Sequence, residues 1–154
     1  MKEPSKRIEE YLEAIYILQT NKGYVRVKDL SNYLNIKPSS VVDYLNRLSK
    51  ENYIEYEKYS FIKLTDKGMK IAKNLYERHN ALKEFLTMIL DIDDEIAEKD
   101  ACYIEHGIHE ETLERIRLFI EFVKKSPKGV PEWIKHLKYY YKNRMYPEEC
   151  EEKR

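Results

Sequence analysis

VKDLSNYLNIKPSSVVDYLNRLSKENYIEYEKYSFIKLT, residues 27–65, changes its hydrophobic period twice. Val27, Leu30, Tyr33 and Leu34 fall three and four apart, the spacing that keeps apolar side chains on one face of an α-helix. The turn NIK then meets Pro38, which suits the first turn of a helix, where an N–H has no intrahelical partner to lose. A helix over 38–52 would bury Val41 or Val42, Leu45 and Leu48 and leave Ser39, Ser40, Asp43, Tyr44, Arg47 and Lys50 on the outside. From Tyr53 the pattern shortens to two β-prone runs, 53–57 and 61–64, divided by Lys58, Tyr59 and Ser60. That predicts a two-stranded hairpin, although no Asn-Gly or Asp-Gly marks its turn.

Upstream, RIEEYLEAIYILQT (7–20) places Ile8, Tyr11, Leu12, Ile15 and Leu18 on one helical face, and Gly23 ends the pattern. Three helices followed by a hairpin is the order of a winged helix-turn-helix. In that fold the third helix enters the major groove and the wing lies near the backbone or the minor groove.

Downstream, Thr65 caps a helix that continues to about Leu90, DIDDE breaks it, and helices are predicted over 95–106, 110–124 and 131–142. Gly107 is expected to stop the first of these, and SPKGVP marks the turn before the last. The fold class is therefore mainly α: a winged helix-turn-helix over 1–72, an all-helical module over 73–142, and a charged tail over 143–154. The helical half is small for an independent core and carries Trp133, Tyr139, Tyr140 and Tyr141, so burial in a homodimer formed mainly through 73–125 is the economical solution.

The chain has 154 residues and a formal net charge of zero, which excludes a simple polybasic binder. The charge is segregated: net +4 over 1–90, −8 over 91–122 and +4 over 123–154. An acidic middle suits dications, and a mildly basic first half suits a phosphate backbone. No apolar run of about 18 residues is present, and the first 20 residues lack the order of a signal peptide, so a cytoplasmic protein without a membrane partner is expected. Cys102 and Cys150 make no disulfide framework, and only Cys102 sits among other donors.

Those donors are in ACYIEHGIHE, 101–110. On a continuous helix Cys102, Glu105, His106 and His109 would share a face. Thiolate, carboxylate and imidazole suit a borderline ion such as Fe(II), Co(II), Ni(II) or Zn(II) and are a poor set for Mg(II) or Ca(II). The same residues also fit a core cysteine, an exposed glutamate and a hydrogen-bonded histidine. Glu10 and Glu13 on the first helix and His79 on the linking helix are further candidate donors, each equally compatible with a surface role.

Several blocks in order, EEYLEAIYIL (9–18), VKDLSNYLNIKPSSVVDYLNRLSKENYI (27–54), IKLTDKGMKIAKNLYERH (62–79) and ACYIEH (101–106), resemble the diphtheria-toxin-repressor and manganese-transport-regulator family of metal-dependent repressors. The resemblance spans about residues 5–125. It implies a principal metal site at Glu10, Cys102, Glu105 and His106, with His79 matching a ligand of a neighbouring site and Glu13 a second first-helix ligand of manganese-type members. Iron-type members have cysteine where Cys102 stands and manganese-type members a carboxylate, while at Glu10 iron-type members have methionine and manganese-type members aspartate. The set is mixed. In iron-type members a carboxylate stands at the place of Lys83 and a histidine at that of Glu98.

The resemblance implies a repressor of iron or manganese uptake genes that binds a palindromic operator in double-stranded DNA as a dimer, with Fe(II) or Mn(II) as effector and Co(II), Ni(II) or Zn(II) acting in vitro. Ser39, Ser40, Asp43 and Tyr44 are the expected base-reading residues, Arg47 and Lys50 the phosphate contacts, and Lys58 and Tyr59 wing contacts. A metal-dependent hydrolase with Glu105 or Glu13 as base and a metal-independent winged-helix interaction module are the alternatives. No small-molecule substrate is expected, since the sequence locates no substrate pocket beside a poised acid or base.

Overall fold

The computed structural model describes residues 4–58 and 60–147. Tyr59, the end of the charged tail and Cys150 lie outside the described residues. In chain order the elements are α1 (Lys6–Lys22), α2 (Val27–Leu34), α3 (Pro38–Lys50), β1 (Ile54–Glu55), β2 (Lys63–Leu64), α4 (Asp66–Met88), α5 (Asp94–Ile104), α6 (Glu110–Lys124) and α7 (Glu132–Asn143). The protein is mainly α, with a winged helix-turn-helix followed by a helical unit. The two compact units divide between Glu77 and Arg78, inside α4, five residues after the boundary that composition suggested.

The first unit closes through local chemistry. Gly23 takes a left-handed φ of 77° and returns its N–H to Gln19 O, which ends α1. At the start of α2, Asp29 accepts from the Arg26 N–H at 3.0 Å and from Lys22 Nζ at 2.7 Å. Asn35 is left-handed at φ 52°, and Ser31 Oγ donates to Ile36 O at 2.6 Å, fixing the turn into α3. Ile8, Leu12, Ile15, Leu30, Val41, Leu45 and Leu48 then form one core with the wing residues Ile54 and Ile62.

The wing is antiparallel, pairing Ile54 with Leu64 and Glu55 with Lys63, and its strands are shorter than expected. A bridge that hydrophobic periodicity did not suggest, Val25 to Ile62, ties the hairpin to the α1–α2 connection. Thr65 works at both ends of the wing: its Oγ1 lies 2.9 Å from Asn52 O and accepts the Gly68 N–H at 3.2 Å. Gly68 is required here by close approach, since a Cβ would stand 2.0 Å from Tyr53 O.

The second unit packs the later turns of α4 against α5, α6 and α7 in two clusters. Leu82, Leu86, Ala97, Ala101 and Leu113 form one, and Ile89, Val123 and Ile134 with Phe85, Phe119 and Leu137 form the other. Asp93 caps α5 by accepting the Glu95 N–H at 3.0 Å. Arg78 Nη2 donates to Ile108 O at 2.6 Å, holding the α5–α6 turn to α4.

Candidate metal centre and nucleic-acid interface

The α5–α6 turn is where the donors gather. α5 stops at Ile104, two residues before the expected end, yet Glu105 keeps helical torsions (φ −55°, ψ −32°) and its N–H bonds to Ala101 O at 2.9 Å. The helical path therefore carries Cys102, Glu105 and His106 to one side even though the helix has ended. The donor atoms of these three residues all lie within 4.8 Å of one another. His109 is not among them: it turns extended (φ −71°, ψ 145°) as the N-cap of α6, so the four-residue face stops at three.

Glu105 is fully buried. Its Oε2 lies 2.9 Å from His79 Nδ1, contributed by α4. Its Oε1 is buried without a hydrogen bond and faces His106 Nε2 at 3.4 Å. A carboxylate oxygen left in that condition is costly, and a cation bound to it removes the cost. A half-satisfied buried carboxylate beside an imidazole and an exposed thiol, Cys102, thus fits a borderline divalent ion.

The surrounding charges are ordered. The hydrogen bond to Glu105 raises the His79 pKa above the ordinary histidine range, against the opposing effect of burial, and Glu98 at 3.2 Å from Nε2 adds to it. Lys83 lowers the Glu98 pKa by hydrogen bonding, and Glu98 and then Asp94 raise that of Lys83. Glu98, an ion-pair partner of both His79 and Lys83, was expected only as the residue standing where iron-type members have a histidine. Its signal in the sequence is the i,i+4 step from Asp94 in an acidic first turn and from there to Cys102.

Glu10 and Glu13 lie one turn apart on α1 of the first unit. Glu13 is buried, and Glu10 is half-exposed at 3.9 Å from Lys6.

On α3, Ser39, Ser40, Asp43, Arg47 and Lys50 are exposed, as is Lys58 in the wing. Tyr44 is corrected: expected outside, it is buried with its ring 4.5 Å from Tyr11. It stands three residues after Val41 and four before Leu48, on the apolar stripe of α3, and its phenol hides there as an aliphatic side chain would. Arg47 is held at 2.9 Å by Glu51 and lies over the Tyr44 ring. Two cations went unnoticed in the sequence. Arg7 stands 4.8 Å from the Tyr44 ring centroid, and Arg26 lies over Tyr24 and Phe61 beside the wing. The Tyr24–Arg26 alternation was the available signal.

Residues 4–62 match the family model of the iron dependent repressor N-terminal DNA binding domain, and residues 65–134 that of the iron dependent repressor metal binding and dimerisation domain. The HTH-type transcriptional regulator MntR of Lysinibacillus sphaericus is 39% identical over 124 residues, 80% of this chain and 88% of its own. The crystal structure of IdeR from T. acidophilum superposes with a TM-score of 0.68 at 30% identity, covering 85% of this chain. A structure of the manganese regulator SloR does so with a TM-score of 0.65 at 25% identity, again over 85% of this chain. This chain spans 60% and 61% of the length of those two structures. The chain belongs to the iron dependent repressor family, that of the diphtheria-toxin repressor and the manganese-transport regulators, whose members are metal-dependent helix-turn-helix transcription regulators and not enzymes.

Proposed function

We propose that this chain represses iron or manganese uptake genes in the cytoplasm, binding a palindromic operator as a homodimer when loaded with Fe(II) or Mn(II). The observation that carries the reading is Glu105, fully buried with one oxygen lacking a hydrogen bond, beside His106 and Cys102 in a chain whose other unit is a winged helix. Cys102, Glu105 and His106 would hold the ion, and Glu10, Glu13 and His79 would complete the coordination as the family resemblance implies. A bound divalent ion supplies positive charge and a fixed coordination geometry, with no reaction attached to it.

The protein's own residues then do the switching. Glu105 would exchange an uncompensated burial for a compensated one, and Glu10 and Glu13 would take part in loading as the family resemblance implies. Loading would bias the dimer toward a spacing of its two α3 helices of about 34–36 Å, one helical turn of DNA. Ser39, Ser40 and Asp43 would read base edges, and Arg47, Lys50 and Lys58 would contact phosphate. Tyr44, being buried, supports Arg47 from beneath instead of reaching a base. The mixed donor set leaves both Fe(II) and Mn(II) as effectors, with Co(II) and Ni(II) active in vitro because affinity for N, O and S donors rises from Mn(II) through Fe(II) and Co(II) to Ni(II), and Zn(II) because thiolate and imidazole also suit it.

The test is a titration of Mn(II), and of Fe(II) under anaerobic conditions, into protein and duplex DNA from its own upstream region, followed by fluorescence anisotropy. Binding that appears only with metal and is reversed by chelator is expected. Equal binding in chelator and in saturating metal would overturn the switch.

A further inference from the structure

Beside the candidate centre the charges run in a line. Lys83 of α4 places Nζ 3.0 Å from Asp94 Oδ2 and 2.9 Å from Glu98 Oε2, two carboxylates four residues apart on α5. The other oxygen of Glu98 is 3.2 Å from His79 Nε2, and His79 Nδ1 reaches buried Glu105 at 2.9 Å. Carboxylates with an imidazole nitrogen are a donor set for ions such as Mn(II) and Fe(II). Asp94 and Glu98 have side chains 75% and 56% exposed, so an ion from solvent can reach them. The position between the two carboxylates holds an ammonium on a tether.

We infer that Lys83 is a specificity-determining residue: its ammonium stands in for a second divalent cation, so that Asp94, Glu98 and the outer face of His79 take no metal and loading is confined to the neighbouring centre. A tethered cation never leaves, whatever the free metal concentration. A divalent ion would have to break both Lys83 ion pairs and then remain beside a displaced positive charge. The same contacts make Lys83 a positioning residue for Glu98, which faces the ring that Glu105 orients.

The inference rests on Cys102, Glu105 and His106 being a metal centre, and counting bound Mn(II) in full-length variants separates the two. Lys83→Gln, which keeps length and removes charge, is expected to bind one more Mn(II) per chain than the unsubstituted protein in equilibrium dialysis. Lys83→Arg should return the unsubstituted count, and Lys83→Gln with Glu98→Gln should lose the extra ion. Lys83 is partly exposed, and a circular dichroism melt confirms that each variant is folded before counting. A count unchanged in Lys83→Gln, or an extra ion that survives Glu98→Gln, overturns the tethered cation. No Mn(II) on the unsubstituted chain overturns the centre itself, and the difference between variants still judges Lys83.

Discussion

The two units differ in how they are built inside, although both bury a glutamate, Glu13 in the first and Glu105 in the second, and both expose aromatics. The first has one continuous apolar core in which Leu12, Leu30, Leu45 and Leu48 are wholly enclosed, and the polar residues of α3 stay outside. The second has two smaller clusters, encloses Glu105 and His79, and leaves Tyr103 76%, Phe122 67% and Tyr146 63% exposed. A unit that hides charge and shows aromatics draws part of its stability from what binds it. The first unit is thus built as a fixed reading head and the second as a conditional sensor.

That contrast breaks most readily at Leu45. Leu45→Ala should destabilise the first unit by about 2–5 kcal/mol, because a wholly buried leucine leaves a cavity that closely packed neighbours cannot fill. The loss should be the same at micromolar and at hundredfold higher protein concentration. A thermal melt that recovers with concentration would place the core of the first unit in an interface as well.

The sensor should respond to a smaller and different change. Glu105→Gln keeps the shape of the side chain and removes its charge, and it should raise the Mn(II) or Co(II) needed for half-maximal DNA binding by about a hundredfold or more, a loss at or above the usual effect of disturbing a ligand's supporting shell. DNA affinity at saturating metal should be restored. If the midpoint stays within twofold, Glu105 is a structural carboxylate and the centre is elsewhere.

A third change tests why aromatics lie outside. Phe122 and, one turn earlier, Leu118 are exposed on α6. Phe122→Ser should leave the monomer folded and weaken the proposed dimer about tenfold, within the range of a single interface anchor. Sedimentation over a concentration series reads this, and an unchanged dissociation constant removes α6 from the interface.

The same difference between the units explains what the sequence disclosed. Period, proline and glycine are local, so α1 to α3, the left-handed stop at Gly23 and the start at Pro38 were legible, and so was the hairpin. The Val25–Ile62 bridge was not, because it joins residues 37 apart with no pattern to announce it. Tyr44 misled because tyrosine suits both a core and a surface, and only its neighbour Tyr11 decides which. In the second unit ACYIEH drew attention by its residue types. The turning away of His109 and the pairing of Glu98 with His79 depend on the extended torsions at His109 and on packing against α4, which no short motif encodes.

The smallest expected effect lies at Arg47, where the fixed reading head carries a movable part. Its guanidinium is exposed, charged as arginine always is, and paired with Glu51 at 2.9 Å. To reach a phosphate, Arg47 must leave Glu51, and the gain from DNA is offset by the pair that is broken. An exposed pair of this kind is weak. Arg47→Ala should therefore lower operator affinity by no more than about tenfold at saturating metal and make the slope of log affinity against log salt shallower by about one. Metal affinity measured without DNA should not move. Glu51→Gln releases the guanidinium and should shift affinity slightly the other way with the slope kept. If Arg47→Ala leaves the salt slope unchanged, Arg47 belongs to the packing of Tyr44 and not to the DNA face, and the phosphate contact passes to Lys50.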